Sequence, residues 1–279
     1  SDDGAASYSF DGADDGEVVL DLEDTHRETL KIDAADGSVT DDDTDGDITF
    51  RPYGFVTSPE PIPTQVAGRA FDWTLTAVGE LPSDPGCDVI EEYDGDQDLR
   101  FWFDYEDPGS GTRQVQVAGT AIADSEATAS AQTVSFTDGE ATVPVDYTDA
   151  GAIQLHVKDD QGIGKPPAGS GDEIVGGSSP FVWRPFGFQI AVAGNPGATD
   201  ATGPPFQAAG TDFDVTVTAR AYQAADDGAG DGVPDGFSDN DPTNNADLSD
   251  NRTTPNFGQE TNPEGVDLGS YRYLPSVGR

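Results

Sequence analysis

Phe71-Asp72-Trp73-Thr74-Leu75-Thr76-Ala77 places an apolar side chain at every second position. Alternation of that period is the pattern of a strand with one face on a core and one toward solvent. The same pattern returns in Phe213-Asp214-Val215-Thr216-Val217-Thr218-Ala219. Each run follows a related motif: Phe50-Arg51-Pro52-Tyr53-Gly54-Phe55 before the first, Trp183-Arg184-Pro185-Phe186-Gly187-Phe188 before the second. The spacing of the two copies is that of a domain, far above the roughly 20–50 residue period of solenoid repeats. The chain therefore reads as a string of similar units.

Working outward, further strands follow at short intervals. Leu99 to Tyr105 sets Phe101, Phe103 and Tyr105 on one face and Trp102 on the other. Val115-Gln116-Val117, Val134-Ser135-Phe136, Val143-Pro144-Val145 and Ile153-Gln154-Leu155-His156-Val157 continue the series, separated by turn clusters such as Asp107-Pro108-Gly109-Ser110-Gly111 and Asp138-Gly139. Strands of about five residues spaced roughly 8–12 residues apart predict a β-sandwich. No stretch carries sustained helical periodicity. Tyr147-Thr148-Asp149-Ala150-Gly151 before a strand is similar to a tyrosine corner. The expected fold is all-β: tandem immunoglobulin-like β-sandwich domains with long acidic loops. Residues 1–50 read as closing strands of an upstream sandwich plus a linker, 51–182 as a complete sandwich, and 183–279 as a third sandwich, incomplete, with an acidic insertion at 226–250. Gly162 to Gly171 is a Gly/Pro linker or hairpin loop without phosphate-loop spacing.

Proline fixes φ and donates nothing to a ladder, and glycine permits a close approach. On that ground Arg51, Pro52 and Gly54, with Arg184, Pro185 and Gly187, are expected to form hinges between sandwiches. Each arginine is expected to stack on an aromatic ring or pair with a carboxylate across the joint.

The net charge is −41, with 54 acidic residues against 13 basic. Phosphate neutralisation needs Lys and Arg, so nucleic acid is excluded as a partner, and an anionic membrane surface with it. Asp outnumbers Glu 41 to 13, a composition suited to salty surroundings that screen self-repulsion. No apolar run approaches the roughly 18 residues of a membrane span. The absence of Met marks a processed product or an excised fragment, with any export signal or anchor outside this sequence. Cys87 either pairs with a partner outside the fragment or remains a free thiol.

The most concentrated candidate site is acidic. Asp227, Asp231, Asp235, Asp239 and Asp241 lie among glycines in Asp226-Asp227-Gly228-Ala229-Gly230-Asp231-Gly232-Val233-Pro234-Asp235-Gly236-Phe237-Ser238-Asp239-Asn240-Asp241-Pro242. Hard oxygen donors at short spacing suit calcium, which takes six to eight oxygens. The stretch resembles one calcium-wrapping repeat of thrombospondin type 3 proteins, with Ala229 where a ligand is expected; the bland alternative is a solvated acidic insertion. Asp41 to Asp47, before the first hinge, is a weaker candidate, and Asp94-Gly95-Asp96-Gln97-Asp98 reads as a turn between strands. Enzyme signatures are missing: no Gly-x-Ser-x-Gly elbow, no Cys/His cluster, and two histidines, His26 and His156, the latter expected to face outward beside Gln154 and Lys158. The chain is expected not to be an enzyme.

The order of motifs resembles the C-terminal region of MshQ-like proteins: Arg-Pro-aromatic-Gly-Phe, then Ala-Gly-x-x-Phe, then Phe101-Trp102-Phe103-Asp104-Tyr105-x-x-Pro108. Tyr147-x-x-Ala150-Gly151, Ser179-Pro180-Phe181-Val182 and Thr254-Pro255-Asn256-Phe257-Gly258-x-Glu260 follow in the same order. MshQ-like proteins are large exported proteins of the mannose-sensitive haemagglutinin type IV pilus system. The resemblance implies a cell-surface or pilus-associated location and an adhesive role; it supplies no catalytic or ligand residues. The resulting expectation is an extracellular stalk or tip component, stabilised by calcium. Its expected partners are other domains of the same or neighbouring chains, pilus components and surface glycans. Two rivals are a filament subunit assembling by strand addition and a carbohydrate-binding module using Trp73, Trp102 and Trp183, of which Trp73 reads as core.

Overall fold

The computed structural model describes residues 53–81, 84–160, 173–197, 202–236 and 245–266, with short stretches at 7–10, 17–18, 20, 29–36, 38–40 and 48–49. Arg51, Pro52, Asp239, Asp241, Asp41 to Asp47 and Gly162 to Gly171 lie outside the described residues. Within them the chain is all-β, with two single-turn 3₁₀ segments, Glu126–Thr128 and Ala224–Asp226. Among the described residues before residue 50 there are two minimal pairings: β1 (Thr29–Leu30) with β4 (Ile48–Thr49), and β2 (Ala35–Asp36) with β3 (Val39–Thr40). The β2 and β3 residues are exposed.

The body of the molecule is a two-sheet sandwich. Its first sheet runs β11 (Thr120–Ala121), β10 (Gln116–Val117), β13 (Glu140–Asp146), β7 (Phe71–Leu81), β5 (Tyr53–Ser58), and β8 (Asp84–Val89) joins the far end of β7. Its second sheet runs β12 (Ala131–Phe136), β9 (Gly95–Asp107), β14 (Gly151–Asp159), β16 (Phe181–Arg184), β6 (Gln65–Val66), and β15 (Ile174–Gly177) joins β14. All pairings are antiparallel except β16 with β6. The long strands β7 and β14 each exchange partners along their length: β14 pairs with β16 over Gly151–Ile153 and with β15 over His156–Asp159.

The core follows from the pleat. Trp73, Leu75 and Ala77 of β7, Leu99, Phe101 and Phe103 of β9, and Ile153, Leu155 and Val157 of β14 all point inward and are buried. Thr57 of β5 donates to the Gly177 carbonyl at 3.0 Å, tying one sheet to the other. A side chain at Gly176 would collide with the Phe55 carbonyl at 2.5 Å, so glycine is what lets β15 pass there.

Three expectations are corrected here. Trp183 is fully buried in the sandwich core, and β16 is paired to β14 and β6. The boundary set between 182 and 183 therefore cuts a strand, and the sandwich continues through Arg184. Gly54 is not at a hinge: it sits inside β5, opposite Val78. Asp96 and Asp98 are not in a turn but in β9, where they accept from the hydroxyls of Ser135 and Thr133 across the strand pair.

Beyond Arg184 only Pro185 and Phe186 intervene before β17 (Gly187–Val192), which pairs with β18 (Val215–Arg220). Among the described residues this ribbon, with loops packed on it, is what the segment after 184 presents, in place of the second sheet a sandwich requires. Cys87 is an exposed free thiol on β8.

Candidate functional site

The ribbon is bound to the sandwich by backbone groups and arginines. Ala67 N–H donates to the Arg184 carbonyl at 2.8 Å and Gly68 N–H to the Tyr147 carbonyl at 2.8 Å, fixing the turn after β6. The Ala67 carbonyl then accepts from Tyr222 N–H at 2.7 Å, crossing to the second unit. Arg69 donates to the Gly230 carbonyl at 2.6 Å and lies 5.9 Å from the centre of the Tyr222 ring. Arg184 donates to the Gly232 carbonyl at 2.9 Å and to its neighbour Pro185 at 3.0 Å. So the expected arginine partner is corrected: Arg184 grips carbonyls, not a ring or a carboxylate, and the stacking falls to Arg69. At Gly187 a side chain would meet Pro234 at 2.7 Å and Leu248 at 2.9 Å. Gly187 thus serves close packing of the acidic loop, which holds the joint rather than loosening it.

A second grip comes from the far end of the chain. Asn256 donates its N–H to Asp149 Oδ1 at 2.9 Å, and Thr261 donates N–H and hydroxyl to Asp107 Oδ1 at 2.8 and 3.1 Å. Asp149 also accepts from Ala150 N–H at 2.8 Å. Burial pushes the Asp149 carboxyl above the usual range, and Glu260 adds to the rise, while the Asn256 and Ala150 N–H groups and Arg113 oppose it. Tyr147 is buried, and its hydroxyl lies 3.5 Å from Asn256 Nδ2. Its corner role is thus taken up in docking the second unit.

The acidic loop is organised by its own backbone. Both Asp227 oxygens accept N–H groups, from Asp231 at 3.0 Å and Gly232 at 2.9 Å. Asp235 Oδ2 accepts from Gly228, and Asp231 Oδ1 from Val233. Partial desolvation opposes ionisation of Asp227, yet the N–H groups of Gly232, Asp231 and Gly230, with Arg69, hold its carboxyl below the usual range. These are Asp turns of the kind that shape glycine-rich loops. Of the five expected calcium ligands, Asp227, Asp231 and Asp235 point at amides, and Asp239 and Asp241 lie outside the described residues. Among the described residues no three His, Cys, Asp or Glu side chains converge as a metal set.

The outer face of the second sheet carries an open cleft of about 420 Å³. The register sets His156 opposite Trp102 and Gln154 opposite Asp104. The Trp102 and His156 rings stack with centroids 5.1 Å apart and planes 11° apart, and His156 Nε2 lies 2.9 Å from Asp104 Oδ2. Lys158 reaches both Glu126 and Glu173 at 2.7 Å, and these two bonds raise its pKa above the usual value. Gly176 and Gly177 of β15 line the cleft without side chains. Of the three tryptophans considered for a sugar platform, Trp73 is core at 0% exposure, as its alternation predicts, Trp183 is corrected to a core residue at 0% exposure, and Trp102 faces outward.

The family description "Domain of unknown function (DUF6701), first Ig-like domain" matches residues 34–172, and "DUF6701, second domain" matches 184–279. The chain belongs to the DUF6701 family. The sandwich described above is thus the Ig-like unit of a DUF6701 chain, and the ribbon with its loops falls in the second domain. No curated protein matches. Among solved structures, a DUF4466 family protein from Parabacteroides merdae is similar at 11% identity, over 50% of this chain and 46% of that one, with a TM-score of 0.25. At that score the likeness carries no argument. No helix among the described residues is long and apolar enough to cross a membrane.

The joint was illegible in the sequence because its partners are distant. Arg69, Asp107 and Asp149 lie within a shared motif, a turn cluster and a tyrosine-corner stretch, none of which names a partner, and Thr254-Pro255-Asn256-Phe257 is a shared run with no physical role attached.

Proposed function

We propose that this DUF6701 chain is a structural segment of an extracellular, surface- or pilus-associated adhesin of the MshQ-like kind, linking and orienting neighbouring domains. The observation that carries the reading is the double grip between successive β-units. Two arginines hold backbone carbonyls on one side, and Asp107 and Asp149 hold the 256–261 segment on the other. Such fixed joints suit a stalk that must transmit position. The charge of −41 suits a protein surface bathed in salt. Glu126 and Glu173, which line the Trp102 cleft, both pair with Lys158, an arrangement of a structural ion pair rather than of acid–base chemistry. The test is antibody labelling of intact cells that express the full protein, with and without permeabilisation. Labelling of intact cells, removed by external protease, is expected; labelling only after permeabilisation refutes the reading.

One observation favours the filament alternative. On the β17–β18 ribbon Phe188 and Ile190 are 41% and 62% exposed and lie opposite Ala219 and Val217 on one apolar face. Strand addition would use a sheet edge, and among the described residues β17 pairs with no strand but β18, which leaves its outer edge for an added strand. Sedimentation at high salt separates the two: a monomer across a wide concentration range removes the filament reading.

A further inference from the structure

We infer that the Trp102 cleft binds a neutral saccharide. A half-buried tryptophan on the solvent side of a sheet is unusual in so acidic a surface. Here its ring is held upright against His156, which is itself anchored to Asp104. That stack is an apolar wall with a fixed orientation, the kind of surface that packs on the C–H face of a sugar ring.

The remaining walls are polar and hold more carboxylates than cations. Lys158 is shared by Glu126 and Glu173, and Gln154 donates to the Ser178 carbonyl at 2.8 Å. Lys158 is matched by two carboxylates, so among the described lining residues no unmatched lysine or arginine is left to attract an acidic glycan. What the walls offer is hydrogen bonding: the carboxylate oxygens retain spare lone pairs, and the Gln154 amide oxygen is an acceptor. Sugar hydroxyls donate as well as accept, so acceptors beside an aromatic wall select them. The volume of about 420 Å³ lies within the roughly 300–1,000 Å³ range of small-ligand sites. Elements far apart in sequence, β9, β14, β15 and the turn at Glu126, build this one face.

The plain alternative is that Trp102 and His156 merely stabilise the sheet as a cross-strand pair. The experiment separates the two. The full chain is screened in high salt against an array of neutral, acidic and cationic mono- and oligosaccharides, and positives are titrated by calorimetry. Binding of a neutral sugar is expected. Trp102→Ala is expected to weaken it at least about tenfold, roughly 1.4 kcal/mol, with Glu126→Gln weakening it less. Trp102→Val, which keeps a strand-favouring residue on the outer face, replaces Trp102→Ala if that variant does not fold, and is expected to show the same loss. No binding to any neutral sugar, binding restricted to charged glycans, or binding unchanged in a folded Trp102 variant overturns the inference. The assay uses purified protein, so its failure leaves the cell-surface test untouched.

Discussion

At Leu155, which is fully buried between the sheets, the structure makes its simplest energetic statement. Leu155→Ala leaves a cavity in a packed core, at a cost of about 2–5 kcal/mol. Denaturant unfolding is expected to show that loss with little change in slope, as for a change confined to the native core. Asp227 acts at the same scale but through charge. Its folded carboxyl sits below the ordinary value because three amides and Arg69 favour the anion. Its contribution is therefore complete above the ordinary carboxylate range and is lost as pH falls through the lowered value. The protection factors of the Gly232 and Asp231 amides, measured against the intrinsic exchange rate at each pH, are expected to fall across that acid window. In Asp227→Ala, exchange at these amides is expected to be fast already at neutral pH. Asp149 has the opposite sign: burial raises its pKa, so its anion is a cost that grows as pH rises through the raised value. Asp149→Asn keeps an oxygen for the N–H groups of Ala150 and Asn256 and removes the buried charge. Its stability at neutral pH is expected to equal or exceed that of the parent, and a loss beyond about 1 kcal/mol contradicts the account.

At the scale of elements, the sandwich and the ribbon differ in how they are held. The sandwich has a core of its own; the ribbon leaves Phe188 and Ile190 exposed and depends on its grips. Arg69→Ala with Arg184→Ala removes both donors to the 230–232 carbonyls. Limited proteolysis is expected to cut the 226–236 loop faster in that double variant, while cleavage within β7, β9 and β14 stays slow. The acidic loop is shaped by Asp side chains on its own amides, and a thermal melt with calcium and with chelator tests it as a cation site: an unchanged melting temperature removes that reading.

For the whole molecule, the net charge of −41 sets the response to solvent. Self-repulsion falls as salt shortens the Debye length from about 10 Å at 0.1 M to about 3 Å at 1 M. The melting temperature is expected to rise steadily over that range, measured by scanning calorimetry, and a flat response would show that the charge is already compensated locally.

The alternation in Phe71–Ala77, Leu99–Tyr105 and Ile153–Val157 determined the sandwich by itself, because inside and outside follow directly from a local two-residue pleat. It also told Trp102 from Phe101 and Phe103. Pairing decided the rest. The doubled Arg-Pro motif announced repetition, but a repeat has no phase, and only the ladder from Trp183 to Gly151 and Gln65 showed that Trp183 closes the sandwich before it. The glycine-rich Asp loop has the composition of a cation site; only the folded backbone, turning its amides toward Asp227, Asp231 and Asp235, assigned those carboxylates. The grip of Asn256 on Asp149 and the meeting of Trp102, His156 and Lys158 with Glu126 and Glu173 join residues far apart in the chain. Tertiary structure alone creates such neighbours, since nothing in their local sequence constrains which side chain will stand opposite.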